Sequence, residues 1–423
     1  MSNTYLGSQE AEAEQAAALL RTTVAIRERA GQLLARARAG ESAWFAVDDS
    51  LLDPTAGEVV AATRQRYPKL NVPLHSRWRH LEAGGIDRKA QLDQLLAHDS
   101  PIRRAHAMVD LTVVSVLLDA GAGAQWKYTE AATGRTYTRS EGLAVASYHA
   151  FVGGLFSSDP DQPMQVDATG LRALVADHLA AAFQVTESNP LVGLQDRVIL
   201  LRRLGEVMQD QPEIFGETGR PCGIFDLIAS PFGSVAAAPT AATAAHDILS
   251  QILYSMSAIW PNANTIGQVP LGDCWRHAAV RGEGLSDGWM PLHKLSQWMT
   301  YSLVEPFEWG GVRVHGLEQL TALPEYRNGG LLLDTGLLKL RDEAAARETW
   351  QPGDEIIVEW RALTVALLDE VADAVRKQLR FTRERMPLAC VLEGGSWAAG
   401  RELAQRRRGG APPLKVASDG TLF

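Results

Sequence analysis

The segment that decides the fold runs from Gly353 to Val375 and reads GDEIIVEWRALTVALLDEVADAV. A Gly-Asp pair opens it, which is a helix-start signal, and apolar residues then recur at helical spacings. This buried stripe comprises Trp360, Leu363, Leu367, Val371, Ala374 and Val375. The stretch from Pro190 to Val207 repeats the pattern, and only short strands fit elsewhere. The sequence therefore predicts a mainly α protein with few short strands.

The composition is that of a globular protein. The chain has 423 residues, of which 46% are hydrophobic and 22% charged, so it holds enough apolar material for a large core. Because no Pro-, Gly- or Ser-rich linker divides the middle of the sequence, we expect a single large helical domain over residues 1–409. Residues 410–423 follow a basic cluster and lack apolar periodicity, which predicts a flexible or peripheral C-terminal tail.

Charge and residue usage exclude several classes of partner. The formal net charge of -9 opposes binding to a phosphate backbone, and no apolar run approaches the roughly 18 residues of a membrane span. Nucleic acid and membrane are therefore not expected as partners. The three cysteines lie far apart and none of the ten histidines is paired at helical spacing, so we expect no metal and no cofactor. A cytoplasmic location fits best, and the oligomeric state stays open.

The most informative motif lies between Leu320 and Leu333 and reads LTALPEYRNGGLLL. It places Glu325, Tyr326 and Arg327 in succession between apolar flanks. We expect a helix to end near Pro324, because proline disfavours helical backbone in the preceding residue. Burial makes each charge costly unless it is paired or holds a ligand. A structural glutamate and arginine that tie two helices together fit equally well, so the residues alone leave both interpretations open.

A second motif begins at Pro291, a helix-start signal, and places polar groups on one stripe of a helix. Lys294, Gln297 and Tyr301 stand at positions i, i+3 and i+7, where they can line one wall of a pocket. A solvated Lys–Gln face is the alternative. The ammonium of Lys294 suits a phosphate as a point charge.

Two further segments add candidate residues. Trp126 and Tyr128 lie in a glycine-bordered loop and can stack on a planar ligand, although a tryptophan folded over a helix end is the commoner arrangement. Glu359 and Arg361 flank Trp360 near a helix start, and a pair of opposite charges there is more often structural than catalytic.

Five stretches carry a resemblance that covers nearly the whole chain. They are Arg139–Leu143, Asn189–Leu194, Pro270–Trp275, His293–Trp298 and Leu323–Gly330. With them the sequence resembles an uncharacterised-domain family tied to the alternative (URC/URG) uracil-catabolism pathway of fungi and bacteria. The resemblance implies a role after uracil is attached to ribose phosphate and opened to a ribosylurea-type intermediate, from which urea must be separated.

The order of motifs is also similar to that of the queuosine 5'-phosphate N-glycosidases, or queuosine-salvage proteins. This similarity implies a helical fold that resembles the helix-hairpin-helix DNA glycosylases. The catalytic carboxylate of that family stands immediately before Tyr-Arg, which assigns the role to Glu325, with glutamate in place of aspartate. The implied substrate-binding residues are Trp126, Tyr128, Asp273, His293, Lys294, Gln297, Tyr326, Arg327 and Arg361.

The chemistry of an N-glycosidic bond suits this assignment. Cleavage builds positive charge on the sugar ring, and a sheltered carboxylate stabilises that charge or orients a water. We therefore predict a metal-independent N-glycosidase that converts a ribosylurea, or its 5'-phosphate, to urea and ribose or ribose phosphate. Lys294 is the first choice for holding a phosphate, with Arg327 or Arg361 second. A ureido or amide hydrolase on the same intermediate and a non-catalytic nucleotide-binding subunit are the alternatives.

Overall fold

The computed structural model describes residues 2–229, 241–260 and 264–417, with the side chains of residues 2–8 left aside. It confirms the mainly α prediction. The α-helices are α1 (Ser2–Leu20), α2 (Thr23–Arg38), α3 (Leu52–Arg66), α4 (Arg77–Leu81), α5 (Arg88–Leu95), α6 (Pro101–Leu117), α7 (Arg139–Val152), α8 (Ala168–Ala173), α9 (Ala176–Ala182), α10 (Leu194–Gln209), α11 (Pro212–Phe215), α12 (Gly223–Ala229), α13 (Ala245–Met256), α14 (Lys294–Trp309), α15 (Tyr326–Thr335), α16 (Glu355–Leu379), α17 (Leu388–Val391) and α18 (Trp397–Arg408).

The strands are short and pair only in twos. They are β1 (Phe45–Val47), β2 (Lys127–Thr129), β3 (Thr136–Thr138), β4 (Ala241–Ala244), β5 (Thr265–Ile266), β6 (Val269–Pro270), β7 (Cys274–Arg276), β8 (Trp289–Pro291), β9 (Val312–His315), β10 (Leu338–Leu340), β11 (Thr349–Trp350) and β12 (Lys415–Val416). The antiparallel pairs are β1–β10, β2–β3, β5–β6 and β7–β8, and the parallel pairs are β4–β9 and β11–β12.

The described residues divide into two compact units, each assembled from separate stretches of sequence. The first unit contains residues 2–75, 264–297 and 316–417, and the second contains residues 76–229, 241–260 and 298–315. Because the chain passes from one unit to the other several times, no single linker marks a boundary. The organisation as one domain over residues 1–409 stays a prediction, as does the likeness to helix-hairpin-helix DNA glycosylases.

Helix α16 forms the centre of the first unit, as its apolar stripe predicts. It packs against α2, α3 and α15, and its 25 residues include the fully buried Leu363, Leu367 and Val371. The helix ends at Arg380, whose φ of 57° is left-handed and stops the helical hydrogen-bond pattern. Burial of this long apolar stripe against three helices contributes to the stability of the unit.

Two glycines let α15 lie close to its neighbours. A Cβ on Gly329 would lie 2.7 Å from the ring of Trp360 on α16, and one on Gly400 of α18 would lie 2.1 Å from the carbonyl oxygen of Arg327. The Trp360 indole Nε1 also donates to the Gly329 carbonyl at 3.2 Å. Larger side chains at these positions would push α15 outward, so the glycines fix where its N-terminus lies.

The second unit is built around buried helices of its own. Helix α6 is buried along most of its length and packs on α7, and α10 packs on α8 and α9. The predicted stripe on α10 is confirmed, because Val198, Leu201 and Leu204 are buried. Across the described residues of both units, no helix combines the length and the apolar character that crossing a bilayer requires.

The beginning of the predicted tail packs against the first unit, and the prediction of a flexible or peripheral tail stays a prediction. Leu414 is fully buried, and β12 adds to β11 as a parallel pair, so residues up to 417 are held to the first unit. One buried leucine and one short strand pair hold this segment. They involve too few residues to produce an apolar period in the sequence. Residues 418–423 lie outside the described part of the chain.

Candidate active site

Glu325 occupies the N-cap position of α15, where the chain leaves an extended stretch and enters the helix. Its backbone is extended (φ -120°, ψ 164°), and its carboxylate accepts hydrogen bonds from the backbone N–H groups of Arg327 at 2.7 Å and Asn328 at 2.6 Å. The prediction that a helix ends near Pro324 is therefore wrong, since proline here stands in the extended segment before a helix start. Each carboxylate oxygen keeps a further lone pair for a ligand.

Opposing forces act on the charge of Glu325. The side chain is partly buried, and this burial raises the pKa of its carboxyl group, while the two backbone N–H groups and the nearby cations of Lys294 and Arg327 favour the ionised form. Burial is the larger effect, so the net shift is upward. The result is an oriented carboxylate that is less solvated than a surface glutamate and is therefore suited to interact with a cation.

A buried ion pair supports the residue that precedes Glu325. The Arg361 guanidinium binds both carboxylate oxygens of Asp273, at 2.8 and 2.7 Å, and its Nε donates to the Pro324 carbonyl at 3.2 Å. Burial opposes the charge of Asp273, yet Arg361 holds the pKa of that carboxyl well below its usual range. Both side chains are nearly fully buried. Arg361 is thus engaged with Asp273 and the backbone, which makes it a positioning residue rather than a ready phosphate ligand.

Asp273 also organises the start of α14. Its Oδ2 accepts from the backbone N–H of Lys294 at 2.9 Å, and its carbonyl oxygen accepts from those of Leu292 and His293, both at 3.0 Å. Pro291, by contrast, ends strand β8, so the helix begins three residues later than its proline suggests. One carboxylate thereby links α16, the first turn of α14 and the corner before α15.

Gln297 carries an unpartnered donor close to the same corner. Its side chain is fully buried, and its Oε1 accepts from the backbone N–H of Thr321 at 3.4 Å. Its Nε2, within the part of the chain that the structure describes, has no hydrogen-bond partner. A buried amide donor left unpaired is costly, and such groups often mark a place for a ligand or a water.

Arg327 and Tyr326 form a pair beside Glu325. The Arg327 guanidinium lies over the Tyr326 ring, 4.6 Å from its centroid, and its Nη1 donates to the Gly410 carbonyl at 3.4 Å. Its Nε has no hydrogen-bond partner among the described residues. Arg327 is therefore buried with spare hydrogen-bonding capacity.

His293 takes a left-handed backbone conformation immediately before α14. Its φ is 45°, which is uncommon for a residue other than glycine, and its buried ring makes a hydrogen bond to the Leu20 carbonyl at 3.0 Å through Nε2. Burial lowers the pKa of the imidazole to about 4, so the ring is neutral at pH 7.

We predict that His293→Asn flattens the acid side of the stability profile. A histidine in the unfolded chain titrates near 6.5 whereas the folded one titrates near 4, so between these values the unfolded state binds more protons and stability falls with falling pH. Asparagine tolerates the left-handed backbone and does not titrate. The slope of unfolding free energy against pH should drop by up to about 1.4 kcal/mol per pH unit, measured by guanidinium titrations. An unchanged slope in a folded His293→Asn variant would contradict the neutral, buried imidazole.

Comparisons with known proteins establish the family. The sequence model described as "Protein of unknown function (DUF1688)" matches residues 19–423. The chain belongs to this family. It is 39% identical over 406 residues to "Protein urg3" of Schizosaccharomyces pombe, across 94% of this chain and 96% of that protein. It is 37% identical over 380 residues to "Uracil catabolism protein 4" of Lachancea kluyveri, across 84% of this chain and 85% of that protein. The predicted family is thereby confirmed, while the similarity to queuosine N-glycosidases stays a prediction.

The two aromatic residues predicted to stack on a ligand belong to the second unit of this DUF1688 protein. Trp126 is fully buried, its Nε1 donates to the Phe183 carbonyl at 3.0 Å, and its ring stacks on that of Phe183. Tyr128 is also buried and its ring stacks on His149. Each ring is already packed against another ring inside its own unit, and Phe183, which Trp126 contacts, is the C-cap residue of α9, so Trp126 lies over a helix end.

Glu359 and Arg361 point to different partners, although they flank one tryptophan. The buried Glu359 accepts from the hydroxyl of Ser42 and lies 3.1 Å from Nε2 of His277. The Ser42 oxygen in turn accepts from the backbone N–H of Phe45 at 2.9 Å. Serine and histidine both bind the carboxylate rather than each other, so this cluster ties loops to α16 and does not resemble a nucleophilic triad.

A further buried carboxylate, Glu393, was not predicted as a site residue from the sequence. It accepts from Arg66 at 2.8 Å and from Tyr67 at 2.9 Å, and it lies 2.8 Å from Nδ1 of His75. Residues Leu392–Ser396 form one turn of π-helix, and Ser396 donates to the Asn328 side chain at 2.9 Å. This turn thus braces α15 near Glu325. No sequence signal pairs residues more than 300 positions apart, so the partners of Glu393 could not be predicted locally.

Proposed function

We propose that this protein hydrolyses the N-glycosidic bond of a uracil-derived ribosylurea or its 5'-phosphate. The products are urea and ribose or ribose phosphate, and the setting is uracil catabolism. The observation that carries the proposal is the oriented, partly buried carboxylate of Glu325 at a helix N-terminus with a cation beside it. The name of the Lachancea kluyveri relative, "Uracil catabolism protein 4", supports the metabolic setting.

In the proposed reaction a carboxylate stabilises the sugar and a water molecule adds to it. As the bond from the anomeric carbon to nitrogen breaks, its electron pair leaves with the nitrogen, which takes up a proton to become the amino group of urea. The sugar ring gains positive charge, and Glu325 stabilises it because its two backbone hydrogen bonds hold the anion in place. Water adds to the anomeric carbon, and the proton it loses balances the one taken up by nitrogen.

Other residues of the first unit supply binding in this proposal. The unpartnered Nε2 of Gln297 donates to an acceptor such as the ureido carbonyl oxygen. Lys294 and Arg327 hold the negative end of a phosphorylated sugar. Asp273 and Arg361 position the corner rather than contact substrate, because their charges satisfy each other.

The test is a product assay with purified protein. Incubation with ribosylurea or its 5'-phosphate should release urea and sugar in equal amounts, as measured by NMR and by ammonia that forms only after urease is added. Release of ammonia and carbon dioxide without urea would favour the ureido hydrolase, and tight binding without turnover would favour a nucleotide-binding subunit. Either result overturns the proposal.

Lys294→Met should raise the KM for the 5'-phosphate roughly 10- to 100-fold and leave the KM for the unphosphorylated compound almost unchanged. The reason is that a hydrogen bond to a charged group contributes about 1.5–3 kcal/mol, and only the phosphorylated substrate makes it. Steady-state kinetics on both substrates provide the measurement. Lys415→Met, at an exposed position of β12, is the matched control. An equal change for both substrates would remove the phosphate role from Lys294.

A further inference from the structure

A group of metal-ligating side chains lies in the second unit, apart from the proposed chemistry. Within residues 2–229, 241–260 and 264–417, the one group of three or more such residues close enough to share an ion consists of His106, Cys222 and Asp226. Their ligand atoms all lie within 4.8 Å of one another. Imidazole, thiolate and carboxylate are the ligands that Zn²⁺ takes in proteins.

Two helices and the residue before one of them supply these ligands. His106 lies on α6, and its Nε2 is 2.7 Å from Oδ1 of Asp226. Asp226 lies on α12, and Cys222 immediately precedes that helix, where its carbonyl oxygen accepts from the backbone N–H of Asp226 at 3.2 Å. The His106 ring also meets the Phe225 ring edge to face at 5.9 Å, which limits its rotation.

A hydrogen bond to Asp110 fixes the backbone of the cysteine. The fully buried carboxylate of Asp110 accepts from the backbone N–H of Cys222 at 2.9 Å and from Nη2 of Arg220 at 2.6 Å. Arg220 and Asp110 compensate each other's charge, so the carboxylate of Asp226 and the thiol remain to meet a cation. Supporting hydrogen bonds of this kind orient the ligands of metal sites.

The group borders a cavity of about 450 Å³, within the size range of small-ligand pockets. Glu213, Thr218 and Leu227 lie along the same wall. Three protein ligands with space beside them leave a fourth coordination position for water or a small anion, which is the arrangement of open zinc sites rather than closed structural ones.

We propose that this group binds one divalent transition-metal ion of the zinc class through Nε2 of His106, Sγ of Cys222 and a carboxylate oxygen of Asp226. The fourth position faces the cavity. Binding displaces the proton of the Cys222 thiol into solvent, so one proton is released per ion bound to a neutral histidine. The competing explanation is a plain His106–Asp226 ion pair beside an inert buried thiol.

Cobalt titration of the full-length, reduced and chelator-treated protein separates the two explanations. Co²⁺ bound by a thiolate gives a sulfur-to-metal charge-transfer band in the near ultraviolet and strong visible bands when tetrahedral. We expect these bands to saturate at one ion per chain, to disappear when Zn²⁺ is added, and to be accompanied by proton release in calorimetry with buffers of different ionisation enthalpy.

Matched variants locate the site. Cys222→Ser should abolish the charge-transfer band, and Asp226→Asn, at an exposed position, should weaken Co²⁺ binding at least 10-fold without altering circular dichroism. Cys274→Ser and Cys390→Ser, at the two buried cysteines of the first unit, should keep the band. Absence of a thiolate band in the wild-type protein, or its persistence in Cys222→Ser, would overturn the proposal. So would unchanged affinity in a folded Asp226→Asn variant.

Discussion

Glu325→Gln is expected to lower kcat for the ribosylurea substrate on the order of 10³-fold, because the amide removes the negative charge that stabilises the cationic sugar in the transition state. The measurement is urea release under saturating substrate. The KM should change little, since the charge matters mainly after the glycosidic bond has begun to break.

The same substitution should leave the fold intact. The glutamine carbonyl still accepts one backbone hydrogen bond at the start of α15, and loss of the second typically costs about 1 kcal/mol for an N-cap residue. Burial raises the pKa of the Glu325 carboxyl group, so its ionised form is less favourable in the folded protein than in the unfolded chain, and the uncharged amide avoids that cost and offsets part of the lost capping. Guanidinium unfolding should therefore show a change within about 1 kcal/mol.

Two further variants separate charge from position. Glu325→Asp keeps the charge and the capping role but withdraws the carboxylate by one methylene, so it should retain measurable activity between that of the wild type and that of the glutamine variant. Glu318→Gln, at an exposed position seven residues earlier, should behave as wild type. In the wild type, the acid limb of kcat/KM should have its midpoint above 4.5, the ordinary value for glutamate. Normal turnover by Glu325→Gln would contradict the catalytic assignment.

Asp273→Asn is expected to destabilise the protein by about 3–5 kcal/mol, because it leaves the buried guanidinium of Arg361 without a counter-charge. It also weakens the backbone contact that begins α14 at Lys294. The measurement is the free energy of unfolding from guanidinium titration with circular dichroism detection.

The double variant Asp273→Leu with Arg361→Met tests whether the cost of Asp273→Asn comes from the unpaired charge. Removing both charges leaves no unpaired ion, so the double variant should be more stable than either single replacement. Arg383→Ala breaks a mostly exposed ion pair with Asp373 in the same unit and should cost less than about 1 kcal/mol. A loss for Asp273→Asn as small as for Arg383→Ala would show that the pair does not stabilise the corner.

Local patterns in the sequence predict much of the helical fold. The stripe from Trp360 to Val375 predicts the buried face of α16, since it depends only on residues three and four apart. The two prolines mislead for a common reason. Pro324 and Pro291 restrict the backbone locally, and the sequence alone does not show whether a helix or a strand precedes them.

For the candidate site as well, the sequence predicts the features that depend on adjacent residues and misses those that depend on distant ones. The placement of a carboxylate (Glu325) and a guanidinium (Arg327) on either side of Tyr326 is visible in the sequence, because the three residues are adjacent. The partner of Arg361 is not visible in the sequence. Asp273 is 88 positions away, whereas Glu359, two residues from Arg361, is the nearer carboxylate in the sequence. Burial of Trp126 against Phe183 likewise depends on residues 57 apart. Long-range pairing of this kind is set by tertiary packing and leaves no local pattern.

The most direct measurement is a crystal structure of the Glu325→Gln variant with bound ribosylurea 5'-phosphate. The proposed function predicts the anomeric carbon roughly 3–3.5 Å from the carboxamide of residue 325, with the phosphate beside Lys294. A substrate bound elsewhere, or one whose ureido carbon rather than anomeric carbon faces position 325, would contradict it.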